Sequence, residues 1–211
     1  MPATLRGVVH CDIHYLPDMT QARRTIFLDR DGVINLDKAY VHRWEDFEFA
    51  PNAVSAMRRL VQAGYQIVVI TNQSGIARGM FSEAQYLALT ARIREHLLAE
   101  GVPLLDVLHC PHHPQGSVPA YAIDCACRKP APGLLLEAAQ RHGIDLSESV
   151  LVGDKPSDIY AGRHAGVRCA YLVKSDNSEN VRELDEADAV FDDLHACAQW
   201  LLHQDSSATT G

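Results

Sequence analysis

The sequence predicts a single α/β domain built on a doubly wound, mainly parallel sheet, with no large cap domain. Three observations carry that expectation. Short apolar runs alternate with segments of helical periodicity along most of the chain. The runs are almost continuously apolar, as strands buried on both faces must be. A length of 211 residues is enough for one domain with a well-buried core and short for two.

Strands are expected over residues 25–29 (TIFLD), 66–71 (QIVVIT), 104–109 (LLDVLH), 149–154 (SVLVGD) and 168–173 (RCAYLV). Between them, helical spacing runs over 52–64, 82–101, 132–143 and 157–166. Ser82 with Gln85 has the form of a capping box, and Gly64, Gly101 and Gly143 stand where helices should stop. A sixth short strand at 189–191 precedes a closing helix. Residues 1–22 match no element of the alternation and are expected to be a loosely ordered extension. The domain is expected over 23–203, and 204–211 (QDSSATTG) as a solvated, disordered tail.

The formal net charge is −8 without any Lys/Arg-rich run, which argues against a nucleic-acid partner. A phosphorylated metabolite remains compatible, because a few local cations and a divalent metal can hold a phosphate. No apolar run approaches the ~20 residues that span a bilayer, and the first residues lack the pattern of a secretory signal. The protein is therefore expected in the cytoplasm, away from membranes.

Several apolar runs end in groups suited to phosphate or metal: Asp29 and Asp31 after the first, Thr71 and Asn72 after the second, Asp154 after the fourth. Ligands bind beyond the carboxyl ends of strands in open parallel sheets, so these groups should converge. Within FLDRDGVIN, residues two apart in an extended chain point the same way, so Asp29 and Asp31 should face one site while Arg30 turns aside. Two such carboxylates repel unless a cation lies between them or one is protonated. A magnesium ion would neutralise them and free Asp29 to attack phosphorus, with Asp31 as proton donor and acceptor. Gly32 lets the chain turn immediately afterwards. Thr71, Asn72 and the loop around Gln73, Ser74 and Gly75 offer donors to phosphoryl oxygens. Lys129 can offset their charge. Asp154 is expected as a magnesium ligand, with Asp158 near it.

The stretch CPHHPQGSVPAYAIDCACRKP holds Cys110, Cys125 and Cys127 with two histidines. Two close pairs of soft or borderline ligands suffice for a closed, structural zinc site. Spacing leaves open whether His112, His113 or His109 is the fourth ligand. A clamp over 110–127 would order a loop that has no period of its own and fix Arg128 and Lys129 at the mouth of the crevice. Cys169 and Cys197 are expected as inert core thiols; Cys11 carries no readable signal.

As a set, Asp29-x-Asp31, Thr71, Lys129 and Asp154 with Asp158 resemble the four motifs of the haloacid dehalogenase superfamily of phosphotransferases, over about residues 23–173. The resemblance implies a Rossmann-like domain and an aspartyl-phosphate formed on Asp29. It assigns proton transfer to Asp31 and phosphoryl stabilisation to Thr71 and Lys129. Magnesium would be held by Asp29, Asp154 and the backbone carbonyl of Asp31, with Asp158 behind them. The metal-ligand loop is similar to that of the subfamily of histidinol-phosphate and heptose-bisphosphate phosphatases, whose heptose members share FLDRDGVIN, TNQSGIARG and CPHHP. That similarity assigns zinc to Cys110, His112, Cys125 and Cys127. It assigns substrate contacts to Asp37, Lys38, Ala39, Tyr40, Thr71, Asn72, Gln73, Ser74, Arg128, Lys129 and Lys155.

The expectation is a monomeric, magnesium-dependent hydrolase acting on a small sugar bisphosphate of lipopolysaccharide precursor synthesis, with Arg128 and Lys155 meeting the second phosphate. Histidinol phosphate is the alternative substrate, and it would give those cations less to do. A nucleic-acid module is weakened by the acidic balance and the scarcity of interleaved aromatic and basic residues.

Overall fold

A computed structural model describes residues 24–175 and 186–208. The expected extension over 1–22 lies outside the described residues, as do 209–211 of the expected tail. Six strands form one all-parallel sheet: β1 (Thr25–Leu28), β2 (Gln66–Asn72), β3 (Leu104–Cys110), β4 (Val150–Gly153), β5 (Cys169–Val173) and β6 (Ala189–Phe191), in the order β3-β2-β1-β4-β5-β6. The helices are α1 (Ala53–Gln62), α2 (Ser74–Ala77), α3 (Glu83–Ala99), α4 (Gly133–His142), α5 (Pro156–Ala165) and α6 (Leu194–Ala208). Single turns of 3-10 helix at Trp44–Asp46 and Leu146–Glu148 complete it.

Alternation along each central strand feeds two cores. Ile26, Leu28, Ile67, Val69, Val150 and Val152 join Met57, Leu60, Leu89 and Leu201 on one face. Phe27, Val68, Ile70 and Leu151 join Leu134, Leu135 and Ile159 on the other. This is why β1 and β4 read as unbroken apolar runs: every position meets a helix layer. Helix α3 buries Tyr86, Leu89, Thr90, Ile93 and Leu97 on one face, of which Leu89, Ile93 and Leu97 join the sheet core, while Leu87 and Leu98 stay exposed. Its N-terminus carries the expected capping box, Gln85 N–H donating to Ser82 Oγ at 3.2 Å and Ser82 N–H to Gln85 Oε1 at 2.8 Å.

The closing helix does not stop at 203. It continues to Ala208, and Asp205 accepts hydrogen bonds from Arg24 and from Tyr65 Oη (2.8 Å). The polar composition of 204–206 reads as a solvated tail, but Asp205 faces partners 140 and 181 positions away, which sequence spacing does not reveal.

The order 3-2-1-4-5-6 reverses direction at β1. The crevice between the carboxyl ends of β1 and β4 is where such a sheet receives a ligand.

Candidate active site

The residues at those strand ends do converge. Asp29, one residue past β1, is 5% exposed, and its N–H donates to Val152 O on β4 at 3.0 Å. Asp154 follows β4 and is fully buried. Asp158 occupies the first turn of α5, where its Oδ2 accepts the N–H of Lys155 at 3.0 Å. Carboxylate oxygens of Asp29, Asp154 and Asp158 all lie within 4.8 Å of one another. Glycines permit this closeness. A Cβ on Gly32, whose φ is +87°, would lie 2.2 Å from Asp154 Oδ2, and one on Gly153 would lie 2.2 Å from Asp158 Cβ.

Lys129 joins the cluster from the far side of the crevice. Its Nζ lies 2.9 Å from Asp29 Oδ1 and 2.5 Å from Asp158 Oδ1, and donates to Ile70 O at 2.9 Å. Burial disfavours its charge, but the two carboxylates outweigh burial and hold its pKa above the ordinary lysine value. Burial also pushes Asp29 up to about 6, with the charges of Asp158 and Asp31 adding to it and Lys129 opposing. Asp154 is pushed up to about 7, again mainly by burial and then by Asp29. Its Oδ2 accepts from Ser175 Oγ at 2.8 Å, while Oδ1 is buried with no hydrogen-bond partner. An orphaned oxygen among three hard, crowded carboxylates fits a divalent cation.

Asp31 departs from the expectation. Arg30 does not turn aside; its Nη2 donates to both Asp31 oxygens at 2.9 Å and to Val41 O at 3.0 Å. The period-two argument fails because β1 ends at Leu28 and the chain turns at once, Gly32 N–H reaching Asn35 O at 2.8 Å. Asn35 Nδ2 and Gln73 Nε2 each add a bond to Asp31 at 3.0 Å. Burial raises the Asp31 pKa, but these donors more than offset it and hold the group below the usual carboxylate value. Asp31 is accordingly not one of the three clustered carboxylates, although its charge still acts on Asp29.

Thr71 lies at the end of β2, buried, and its Oγ1 accepts from Gln73 Nε2 at 2.9 Å. Asn72, expected as a phosphate donor, spends both ends of its amide on the Lys129 backbone: Nδ2 donates to Lys129 O (3.0 Å) and Oδ1 accepts from Lys129 N–H (3.1 Å). Ser74 opens α2. Asp37 Oδ2 lies 3.1 Å from Lys155 Nζ, which also sits 3.7 Å from Asp154. Ala39 and Tyr40 are in the left-handed region (φ 56° and 53°), with Ala39 N–H bonded to Asp37 Oδ1 at 3.1 Å. Lys38 pairs with Glu48 at the surface, 2.6 Å away. A cavity of about 230 Å³ beside this loop is lined by Gly32, Asn35, Asp37, Lys174 and Ser175 among others.

The cysteine stretch forms a second cluster. Sγ of Cys127 lies 3.2 Å from Cys110 Sγ and 3.3 Å from Cys125 Sγ, and Cys110 to Cys125 is 3.5 Å. His112 presents Nδ1 at 3.4 Å from Cys127 Sγ and 3.8 Å from Cys110 Sγ. All four ligand atoms lie within 4.8 Å of one another, a group that could hold one metal ion. The ambiguity among histidines resolves in favour of His112. His109 is turned to Glu83 (2.9 Å), and His113 to Arg78 and the Gln115 amide. The cluster is wired to the crevice, since Cys110 O accepts Gln73 N–H at 2.8 Å and His112 O accepts Arg128 Nη1 at 3.2 Å. The loop also lies on α2, with Val118 N–H bonded to Ala77 O at 2.9 Å. As expected, Cys197 is a buried core thiol; Cys169 is partly buried against the same core.

Arg30, Asn35 and the bridging role of Gln73 were not singled out for these jobs from the sequence. All three sit in or beside the motif stretches, but which polar group each side chain meets depends on the turns.

A parallel sheet in this order, with Asp29, Thr71, Lys129 and Asp154 meeting at its switch point, defines a hydrolase of the haloacid dehalogenase (HAD) class. The HAD-hydrolase-like family model matches residues 126–197. The chain is 49% identical over 152 residues to D-glycero-alpha-D-manno-heptose-1,7-bisphosphate 7-phosphatase of Photorhabdus laumondii, spanning 72% of this chain and 83% of that one. To D-glycero-beta-D-manno-heptose-1,7-bisphosphate 7-phosphatase of Escherichia coli it is 43% identical over 190 residues, 90% of this chain and all of the relative. Among solved structures, D,D-heptose 1,7-bisphosphate phosphatase from B. bronchiseptica, complexed with magnesium and phosphate, superposes with a TM-score of 0.75 at 34% identity, covering 86% of this chain and 99% of that one. The chain belongs to the D-glycero-D-manno-heptose-1,7-bisphosphate 7-phosphatase family.

Proposed function

We propose that this protein hydrolyses the 7-phosphate of D-glycero-D-manno-heptose 1,7-bisphosphate, in the synthesis of nucleotide-activated heptose for lipopolysaccharide. The observation that carries the reaction type is the contact of Lys129 with Asp29 and Asp158 beside the orphaned oxygen of Asp154. The substrate follows from 42–49% identity to enzymes of that name over most of their length.

Asp29 attacks phosphorus and the bond between phosphorus and O7 of the heptose breaks, Asp31, in its protonated form, giving its proton to the departing alkoxide. Water then attacks the phosphoryl group on Asp29, giving its proton to Asp31 and releasing phosphate. Arg30, Asn35 and Gln73 favour the carboxylate of Asp31, the form left once its proton has gone to the alkoxide and the form that accepts the water's proton. Lys129 steadies Asp29 and the equatorial oxygens, with Thr71 and the Ser74 N–H around them; the Gln73 N–H is engaged by Cys110 O. Asp29, Asp154 and the Asp31 carbonyl, with Asp158 behind them, would hold a magnesium ion, which when bound would supply Lewis-acid charge neutralisation. Asp158 suits the outer position because both its oxygens are engaged by Lys129 and the Lys155 amide. Zinc suits the cluster of Cys110, His112, Cys125 and Cys127: four protein ligands and no open position make it structural.

No helix among the described residues is long and apolar enough to cross a membrane. The free thiols Cys110, Cys125, Cys127, Cys169 and Cys197 fit a reducing compartment, the cytoplasm. Phosphate release from heptose 1,7-bisphosphate, histidinol phosphate and a 3′-phosphorylated oligonucleotide tests the reading. The heptose substrate should show the highest kcat/KM, and preference for either other compound overturns it.

A further inference from the structure

The loop between β1 and α1 leaves the core at three exposed residues, Lys38, Ala39 and Tyr40. Two of them, neither a glycine, stand in the left-handed region, with φ of 56° at Ala39 and 53° at Tyr40. A Cβ disfavours that backbone, so it persists only where neighbours over-determine it. We infer that His42 does so, as a positioning residue that holds the loop Asp37–Tyr40 in shape and ties it to the segment seating the phosphoryl group. That role rests on the reading of Asp37–Tyr40 as contacts of the heptose bisphosphate, and adds what keeps those contacts in place.

Two contacts define the role. His42 Nδ1 lies 2.8 Å from Tyr40 O. A carbonyl oxygen only accepts, so Nδ1 carries the hydrogen and donates it to the second left-handed residue. The same ring stacks on Phe81, with centroids 4.9 Å apart and planes inclined by 8°. Phe81 is buried with Ile76 of α2 and Tyr86 of α3. It rests directly on the α2 backbone, since a Cβ on Gly75 would lie 2.2 Å from Phe81 Cε1. Gly75 follows Ser74, whose N–H is offered to the phosphoryl oxygens. His42 therefore fastens the substrate loop to the element that seats the reacting phosphate.

The other end of the loop is fastened separately. Asp37 accepts the Ala39 N–H at 3.1 Å and lies 3.1 Å from Nζ of Lys155, the residue that precedes α5. The strands run in the order β2-β1-β4, so the loop after β1 is held to both neighbours: by Asp37 to the segment after β4, by His42 to the segment after β2. Between Tyr40 and His42, Val41 is 3% exposed and its O accepts Arg30 Nη2 at 3.0 Å. Burial of Val41 keeps that carbonyl, and with it the Arg30 that grips Asp31, in place without the His42 ring. Loss of the His42 contacts should loosen substrate binding and spare the chemical steps.

Three variants divide the two contacts. His42→Phe keeps a ring on Phe81 and loses the donor; His42→Asn keeps an amide N–H near Tyr40 O and loses the ring; His42→Ala loses both. Kinetics is measured on heptose 1,7-bisphosphate and on p-nitrophenyl phosphate, which has no polyol to place against the loop, with thermal melting as a check on folding. His42→Phe and His42→Asn should each raise KM for the bisphosphate about 3- to 10-fold, and His42→Ala about 10-fold or more, with kcat within about twofold. For p-nitrophenyl phosphate each variant should stay within about twofold of wild type. Amide hydrogen exchange over 37–42 should be about 10-fold faster in His42→Ala. Losses that fall on kcat or equally on both substrates, as a general staple of the fold would give, overturn the role, and so does an unchanged KM for the bisphosphate. A wild type that does not favour the bisphosphate over p-nitrophenyl phosphate overturns the substrate reading instead. Exchange over 37–42 then decides for His42 by itself, and exchange no faster in His42→Ala than in wild type overturns the anchor.

Discussion

The side chain of Asn72 closes two hydrogen bonds on the backbone of Lys129, so the end of β2 is pinned to the loop carrying the central cation of the crevice. Asn72 therefore acts through Lys129. Asn72→Ala should lower kcat by about 100-fold, the scale of a misplacement near 1 Å, and leave KM within a few-fold. Asn72→Asp keeps the acceptor but sets a negative oxygen against the Lys129 carbonyl, and should be no better. Steady-state kinetics checks both; a change confined to KM would make Asn72 a substrate contact instead.

Arg30 is 3% exposed and is the main counter-charge of Asp31. Arg30→Met removes the charge while keeping most of the volume, and a broken buried pair costs about 3–5 kcal/mol. Because the Asp31 pKa is lowered in the folded chain, the stability it contributes is present above its unfolded value of 3.8 and is lost as pH falls through the lower folded value. The penalty of the variant should thus be full at neutral pH and shrink in acid. Urea unfolding at the two pH values measures it; equal midpoints for variant and wild type at neutral pH would contradict it.

Asp29 and Asp154 behave oppositely, with folded pKa values of about 6 and about 7. Without a cation their contribution to stability is full below about pH 4 and is lost as pH rises through 6 to 7. Divalent metal requires the deprotonated carboxylates, so binding should tighten over that interval and release protons. Melting temperatures with chelator and with magnesium should diverge little near pH 5 and most above about pH 8. A magnesium effect independent of pH would contradict the assignment.

The cysteine cluster supports residues on both sides of the crevice, through Cys110 to Gln73 and through His112 to Arg128. Cys125→Ser with Cys127→Ser should abolish zinc in elemental analysis, lower the melting temperature and reduce kcat by about 10-fold or more. Added magnesium should not restore turnover. Full zinc content with full turnover would remove the clamp from the account.

The sheet was legible because every central strand is covered on both faces and so is written in unbroken apolar letters. That Asp29, Thr71 and Asp154 stand at the same edge of the sheet followed from strand polarity; Lys129, in the loop before α4, joined the set only through the family resemblance. What stayed hidden depends on side-chain direction after a strand has ended. Arg30 grips Asp31 because the chain leaves the extended form at Leu28, where period-two reasoning stops. An amide at position 72 has the same composition whether it faces phosphate or backbone. One turn of helix at Ser74–Ala77 is too short to show a period. The fourth cluster ligand needed coordinates, since His112 and His113 differ by one position and point apart.

The account depends on Asp29 carrying the phosphoryl group. A crystal structure of the protein with magnesium and beryllium trifluoride measures this directly. The account predicts beryllium bonded to a carboxylate oxygen of Asp29, with Lys129 and Thr71 against the fluorines; an adduct on another side chain, or none at a site that does bind magnesium, would contradict it.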